Sequence, residues 1–430
     1  MREKKVLSKS LLLLAITSIM LFAMSITSFA ASTVTNVTQT DSSESSVKIT
    51  WTGDVQADGY YVYYSKDNKS WVRKDKDTDK YPDAFASDGN ETTISGLDAG
   101  TAYYVMLVPV YRDANYNYIA QTNKRSATIT VVTAPKQVTA VTQTKATASS
   151  VTLKWSASAG ANRYYVYRGY YGTSSSLVAN VTGTTATIKA AAGSEESYYV
   201  FPVKVSALNY RAISDYGKGV SAKAAPGKVS RLASAKYGNL NWKSSGTTVT
   251  VYWSNNANAD YTPDGYKVEI YSVDGKKKLK TYNITKKYTA YKKFNIKSIK
   301  NKGFKIRVCG YVTVNGKKCY GSWSSKVTVI PQGNIKLTQK SKTSMKVSWS
   351  KVANATSYTI YACKDENVAK ENQKWYKVKT VSKKTTSYTV KNLKNGKYAG
   401  FYVIPTVKIG GKKYKADAVW YSYMYMSKYY

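Results

Sequence analysis

Thiols, carboxylates and imidazoles are the side chains best suited to chemistry, and in this 430-residue chain the imidazoles are missing, since there is no histidine. Histidine-based triads and imidazole zinc sites are therefore excluded. Three cysteines are present, Cys309, Cys319 and Cys363, an odd number that leaves at least one outside any internal bridge. Cys309 and Cys319 flank Asn315-Gly316, a dipeptide suited to a two-residue hairpin turn that pairs Val314 with Lys317. In that register the two thiols are out of step and on opposite faces, too far apart for the Cα separation of about 5.5 Å that a disulfide needs. Free thiols are the expectation; a different turn would leave the bridge open.

The carboxylates offer little more. Asp75, Asp77 and Asp79 imitate the opening of a calcium loop, but Lys80 stands where the turn glycine belongs and Ala86 where the bidentate glutamate belongs. A solvated mixed-charge loop is expected there, and no metal site. Glu195 and Glu196 are adjacent, so on a strand they point to opposite faces and do not form a glycosidase pair. With no base, nucleophile or paired carboxylate held together, the chain is expected to be non-enzymatic and to need no cofactor.

Charge is the stronger signal. Lys and Arg number 65 against 25 Asp and Glu, a formal net charge of +40. By segment the net charge is −3 for 31–134, +7 for 135–225, +17 for 226–331 and +16 for 332–430. The surplus is mostly lysine, clustered at Lys276, Lys277, Lys278 and Lys280, at Lys286 and Lys287, at Lys292 and Lys293, at Lys383 and Lys384, and at Lys412 and Lys413. A single lysine pair is ordinarily a solvated strand edge that resists aggregation. A surplus of this size on one segment repels itself unless a counter-charge is near, which points to an anionic partner for the second half. Lysine is a point charge and suits diffuse polyanions better than bidentate recognition. Cell-wall polymers and extracellular anionic polysaccharide fit this chemistry.

Residues 1–30 read as a secretory leader: Arg2, Lys4, Lys5 and Lys9 precede an apolar run from Leu11 to Ala23, and Ser28-Phe29-Ala30 supplies small residues for cleavage. No second apolar run follows, so no membrane-spanning segment is expected after the leader is removed. Export leaves nucleic acid an improbable dedicated ligand. The expected location is extracellular, with non-covalent association to the cell surface.

The chain repeats itself at a spacing near one hundred residues, and this repeat must position these groups. Trp51 is followed nine residues later by Tyr60, Trp155 by Tyr164 at the same offset, Trp349 by Tyr358 at the same offset, and Trp253 by Tyr266 after thirteen. Apolar residues then alternate, as in Tyr60, Val62 and Tyr64, the period of a strand with one buried face. That phase buries Tyr60, Tyr164, Tyr266 and Tyr358 and turns Tyr61, Tyr63, Tyr165 and Tyr167 to the other face. In the last strand the same logic buries Met424 and Met426 and turns Tyr421, Tyr423 and Tyr425 outward. Outward tyrosines open a second reading, a carbohydrate-binding surface, because flat rings can lie against sugar rings. A third is a spacer or protein-interaction scaffold with no small ligand. Ala134-Pro135, Ala225-Pro226 and Ile330-Pro331 each close a β-rich run with a residue that cannot continue a ladder. Segments 31–134, 135–225, 226–331 and 332–430 follow, joined as a semi-rigid string.

The order of these elements resembles the fibronectin type III domain, as found in secreted bacterial proteins. The resemblance rests on the Trp and Tyr strands, on Leu97-Asp-Ala-Gly-Thr-Ala-Tyr103-Tyr-Val105-Met-Leu107, and on closing hairpins at Val314-Asn-Gly-Lys-Lys-Cys-Tyr-Gly-Ser-Trp323 and Ile409-Gly-Gly-Lys-Lys-Tyr414. It covers essentially all of the chain after residue 32. It implies an all-β protein of four tandem immunoglobulin-like, fibronectin type III-like β-sandwich modules. It also implies that Trp51, Trp155, Trp253, Trp349, Tyr60, Tyr164, Tyr266 and Tyr358 are core, and that the Tyr103 hydroxyl ties back to the backbone. The second copy offers Tyr198 and the third Phe304 near the position of Tyr103.

Overall fold

β-branched and aromatic residues in alternation favour extended chain, and the computed structural model is built of strands. It describes residues 34–74, 89–169, 175–229, 248–253, 262–286, 291–295, 303–330, 335–364, 374–415 and 422–427. Among these, one 3-10 turn, Thr122–Lys124, interrupts the strands. The described residues fall into two compact units, one drawn from Met1–Thr142, Lys154–Ala186 and Tyr198–Val220, the other from Gln143–Leu153, Thr187–Ser197 and Ser221–Tyr430.

One sheet pattern recurs in every repeat. In the first, Thr35–Ser42, Ser46–Thr52 and Glu91–Ser95 form a three-stranded antiparallel sheet. A second sheet orders Val72–Arg73, Gly59–Ser65, Ala102–Arg112 and Tyr118–Ala120, with Ile129–Val132 also pairing with Ala102–Arg112. The second repeat has Val141–Thr147, Ser150–Trp155 and Thr185–Lys189 in one sheet and Ser176–Val181, Arg163–Arg168, Glu195–Val205 and Arg211–Ile213 in the other, with Lys218–Lys223 also pairing with Glu195–Val205. In the third, Thr248–Tyr252 pairs with Tyr291–Asn295, and the five-stranded sheet runs Lys278–Ile284, Gly265–Tyr271, Phe304–Val314, Lys317–Tyr320, with Val327–Val329 on Phe304–Val314. The fourth has Ile335–Ser341, Ser344–Trp349 and Ser387–Val390, then Trp375–Ser382, Ala355–Cys363, Tyr398–Ile409 and Lys412–Lys415, with Ser422–Tyr425 on Tyr398–Ile409.

In the first three repeats the last strand is split in two, and in the first two the long strand beside it carries a reason. Pro109 and Pro202 lie within those long strands and offer a carbonyl but no N–H to a neighbour. Gln121 N–H donates to the Pro109 carbonyl at 2.9 Å and Ser214 N–H to that of Pro202 at 3.1 Å. In the first and third repeats a buried serine spans the gap. Ser126 Oγ accepts from the Leu107 amide at 3.0 Å, and Ser324 Oγ accepts from the Val308 amide at 3.0 Å.

The core pairs each repeat's tryptophan with its tyrosine. Ring centroids are 5.3 Å apart for Trp51 and Tyr60, 5.6 Å for Trp155 and Tyr164, 5.2 Å for Trp253 and Tyr266, and 5.5 Å for Trp349 and Tyr358. All eight side chains are buried. The longer loop of the third repeat does not alter the pair. Two positions before the tyrosine, Asp58, Asn162 and Asp264 accept hydrogen bonds from the amides of Arg112, Val205 and Thr313 at 2.7, 2.9 and 2.7 Å. These bonds hold the two central strands in register.

A glutamine closes three of the sandwiches. Gln39 donates to the Val132 carbonyl at 2.7 Å and accepts from the Val132 amide at 2.9 Å. Gln143 does the same with Lys223 at 2.7 and 3.0 Å, and Gln339 with Ser427 at 3.2 and 3.2 Å. One side-chain amide thereby completes a ladder between the first strand and the last, satisfying two backbone groups that would otherwise face an open edge.

The tyrosine corner is present in the first repeat, where the Asp98 amide donates to the Tyr103 hydroxyl at 2.9 Å. Elsewhere the register shows what replaced it. Tyr60 pairs with Pro109, Tyr164 with Pro202, Tyr266 with Gly310 and Tyr358 with Pro405. Counting back from those partners, the position of Tyr103 is held by Glu196, Phe304 and Ala399. Tyr198 is therefore two residues further along the same face, as is Phe401 in the fourth repeat, and Tyr198, Phe304 and Phe401 are all fully buried. A shift of two in a strand keeps the ring on the core side, so either position fills the same space.

Candidate functional site

The candidate lysines are distributed over several elements. Lys276 and Lys277 lie in the turn before Lys278–Ile284, Lys278 and Lys280 on that edge strand, and Lys286 just beyond it, all exposed. Lys287 lies outside the described residues. Lys292 and Lys293 stand opposite Val251 and Thr250. Lys383 and Lys384 follow strand Trp375–Ser382 and are exposed. Lys412 and Lys413 open a hairpin strand, exposed, opposite Ile409 and Lys408. Lys408 and Lys413 are thus direct cross-strand neighbours of like charge, an arrangement that is destabilising without a counter-ion.

Lys278 has an internal partner. Its Nζ lies 3.3 Å from Glu269, whose buried carboxylate also accepts from Arg307 at 2.6 Å and from the Tyr271 hydroxyl at 2.6 Å. Arg307 in turn lies over the Trp323 ring at 4.1 Å, and Lys326 over the Tyr271 ring at 3.8 Å. Burial works to raise the Glu269 pKa, but the hydrogen bonds from Tyr271, Arg307 and Lys278 outweigh it and hold it at about 2. The other described acids of this repeat are engaged too. Asp264 accepts from Thr313, and Asp274 accepts from the Ser272 hydroxyl and from the Lys276 amide at 3.0 Å.

The outward tyrosines divide. Tyr61 and Tyr165 do lie on the face away from the Trp core, yet they are only 8% and 4% exposed. In these two repeats the outer face of the five-stranded sheet has apolar packing of its own. Tyr61 is covered by Val108, Val110 and Tyr63, with the Arg73 guanidinium 4.4 Å from its ring centroid. Tyr165 packs with Phe201 and Val203, and Tyr167 meets Phe201 edge-on at 5.6 Å. These rings are sheet packing and present no flat surface to a sugar.

The fourth repeat differs. Met426 is buried and Met424 partly so, while Tyr423 and Tyr425 are 59% and 44% exposed. Both lean edge-on against Tyr398, with centroids 6.0 and 5.2 Å away. Four residues along, Tyr402 stacks on Tyr361 at 4.8 Å and 20°, and Trp375 lies 4.7 Å from Tyr402. Burial and then the nearby Tyr361 push the Tyr402 phenol up to about 12. Sequence reading missed this cluster, although Tyr398, Gly400 and Tyr402 spaced by two on one strand are its signature. It also missed Glu269 and the glutamines. A Thr-Gln dipeptide upstream of the tryptophan, at Gln39, Gln143 and Gln339, marks the latter.

Cys309, Cys319 and Cys363 are thiols outside any disulfide. Val314 pairs with Lys317 and Val312 with Cys319, while Cys309 stands opposite Lys267. Cys319 packs against Ala146, Ala225, Val312 and Val314. Burial pushes the Cys309 thiol up to about 12. Glu195 accepts from the Ser221 hydroxyl at 3.0 Å and lies 3.3 Å from Lys223 Nζ, a structural role. The acidic run at Asp75, Asp77 and Asp79 lies outside the described residues; among those described, no cluster of three or more metal-ligating side chains occurs. A cleft of about 310 Å³ in the first repeat is floored by Tyr64, Leu97 and Tyr103 beside the Lys66–Asp98 ion pair, away from every candidate lysine. No described helix is long and apolar enough to cross a membrane.

Known proteins share features of this chain. Residues 32–122 match the fibronectin type III domain. The chain is 32% identical over 201 residues to Chitinase A1 of Niallia circulans, an alignment that covers 44% of this chain and 25% of that protein, so only a quarter of the relative's length is spanned. Among solved structures, the FN1–FN3 domains of chicken CNTN1 align at 13% identity and TM-score 0.24, over 68% of this chain and 99% of that one. A two-domain fibronectin type III segment of chicken tenascin aligns at 19% identity and TM-score 0.24, over 45% and 98%. The family match lies on the first repeat, and the other three repeat its five-stranded sheet and its Trp–Tyr pair, so the chain is built of fibronectin type III-like repeats.

Proposed function

We propose that this is a secreted, non-enzymatic binding protein that associates with anionic polymers of the cell envelope or extracellular medium through its basic modules at 226–331 and 332–430. The observation that carries this reading is the disposition of charge in the third repeat. Lys276, Lys277, Lys280 and Lys286 are exposed, whereas Glu269 is buried against Arg307, and Asp264 and Asp274 accept hydrogen bonds from the backbone amides of Thr313 and Lys276. A lysine surplus that far outnumbers the neighbouring acids maintains a positive potential that concentrates polyanions. Similarity to a protein named for action on chitin supports a polysaccharide setting, and the leader at 1–30 supports export. The module at 31–134, with its slight acidic excess, is not part of the binding surface.

Several lysines contacting one polymer displace its counter-ions, so affinity falls steeply as salt rises. The test is sedimentation of the full chain with isolated bacterial cell walls, before and after extraction of their acidic polymers. Between 0.1 and 1 M salt the reach of each charge shrinks from about 10 to about 3 Å. Binding should be lost on extraction and nearly gone at the upper salt. Binding indifferent to both would overturn the reading.

A further inference from the structure

We propose that the outer face of the five-stranded sheet in the fourth repeat is a binding tract for an acidic polysaccharide, a chain of sugar rings bearing carboxylate, sulfate or phosphate groups. The inference rests on the polyanion reading above and narrows its ligand class.

The tract follows from register. Alternate residues of strand Tyr398–Ile409 share one face, which places Tyr398, Gly400, Tyr402, Ile404, Thr406 and Lys408 in a row. On one side Tyr425 stands opposite Tyr398, Tyr423 opposite Gly400, Lys415 opposite Thr406 and Lys413 opposite Lys408. On the other side Tyr361 stands opposite Tyr402, Cys363 opposite Gly400, and Trp375 opposite Cys363. One end of the face is therefore aromatic and the other cationic. At about 3.3 Å per residue the row from Tyr398 to Lys408 extends roughly 33 Å, the dimension of an oligosaccharide rather than of one sugar.

Each end alone would accept a different ligand. Tyr423 and Tyr425 keep large exposed ring areas because they meet Tyr398 edge-on, and such surfaces take the apolar face of a pyranose. Lys408, Lys413 and Lys415 are exposed and would take any polyanion. The two ends on one strand select a ligand that has both rings and charge. Gly400, Cys363 and Tyr402 are buried among these rings, so the ring surfaces this end offers are those of Tyr423 and Tyr425. An anion seated between Lys408 and Lys413 would also relieve their mutual repulsion.

The test uses the full chain at 0.1 M salt with three probes: polygalacturonate, its fully methyl-esterified form, which keeps the rings but not the charge, and inorganic polyphosphate, which keeps the charge but not the rings. Polygalacturonate should bind at least about tenfold more tightly than polyphosphate, the scale of two aromatic contacts, and more tightly than the ester, which lacks the charge that the lysines read. The exposed pair Tyr423→Ser with Tyr425→Ser should lose about that tenfold for polygalacturonate and leave polyphosphate unchanged. Lys408→Gln with Lys413→Gln should weaken both anions and leave the ester unchanged. If the tyrosine variant binds polygalacturonate like the wild type, the tract is overturned while salt-sensitive binding of both anions keeps the broader reading. If the ester binds as tightly as the acid, the charge reading and the tract both fall.

Discussion

The hydroxyl of Tyr358 accepts a hydrogen bond from the amide of Val352 at 2.8 Å, while its ring rests 5.5 Å from the indole of Trp349. One side chain thus seals the core and fixes the loop that leads into its own strand. Tyr164 repeats the bond with the Ser158 amide at 3.0 Å. Tyr60 uses the same oxygen as a donor, to the Asp54 carbonyl at 3.2 Å.

Truncating the indole should empty this site. Trp349→Ala is expected to destabilise the fourth repeat by about 3–5 kcal/mol, because a large buried aromatic leaves a cavity that sheets cannot close. Tyr358→Phe keeps the ring and should cost about 0.5–1.5 kcal/mol for the lost hydrogen bond. Hydrogen exchange across residues 335–427 measures both. A Trp349→Ala effect below about 1 kcal/mol would contradict the core assignment.

Glu269 sets a pH dependence. Its folded pKa of about 2 lies below the ordinary value of 4.5, so its stabilisation is present above about pH 4.5 and is lost as pH falls toward 2. Glu269→Gln should be less stable than the wild type at pH 6 and should converge with it near pH 2. Urea midpoints of the two proteins across that range decide it; parallel curves would show that the carboxylate is not held ionised.

The thiols should react in a fixed order. Cys319 is partly exposed, whereas Cys309 and Cys363 are buried. Alkylation of the folded protein without reductant should label Cys319 slowly and the other two only after denaturation, for a total of three labels by intact mass. Two labels missing after denaturation would reveal an internal bridge.

The glutamine that joins first and last strands should be worth its two bonds. Gln339→Leu is expected to cost about 1–3 kcal/mol, since the Ser427 amide and carbonyl lose their partner. Protection of the Ser427 amide from exchange is the readout, and an unchanged rate would assign the closure to other contacts.

The Trp and Tyr strands were legible because each is a local, period-two pattern that recurs at a near-constant spacing. Asn315-Gly316 was legible for the same reason, since a hairpin's register depends on neighbours in sequence. Gln39 was not, because its partner Val132 lies 93 residues away and a polar residue on an edge strand carries no mark of a distant backbone. Tyr198 was misplaced by two because spacing from the turn cannot tell one core position from the next on the same face. The burial of Tyr61 and Tyr165 was illegible for a further reason: alternation separates the two faces of a sheet but does not say whether the second face is wet. At the candidate site, the lysine clusters could be seen in sequence, but the engagement of Lys278 by Glu269 and the row from Tyr398 to Lys408 required the cross-strand register.

The glutamine bridges also bear on mechanics. Tension along the chain enters each module through its first strand and leaves through its last, and in three modules these two strands are joined by Gln39, Gln143 or Gln339. The two parallel bonds of each bridge lie across that load and must break together for the strands to slide past one another. A polymer gripping the C-terminal module while the rest of the chain is pulled would therefore stress these amides early, and the force at which a module yields should depend on a side chain that touches no ligand.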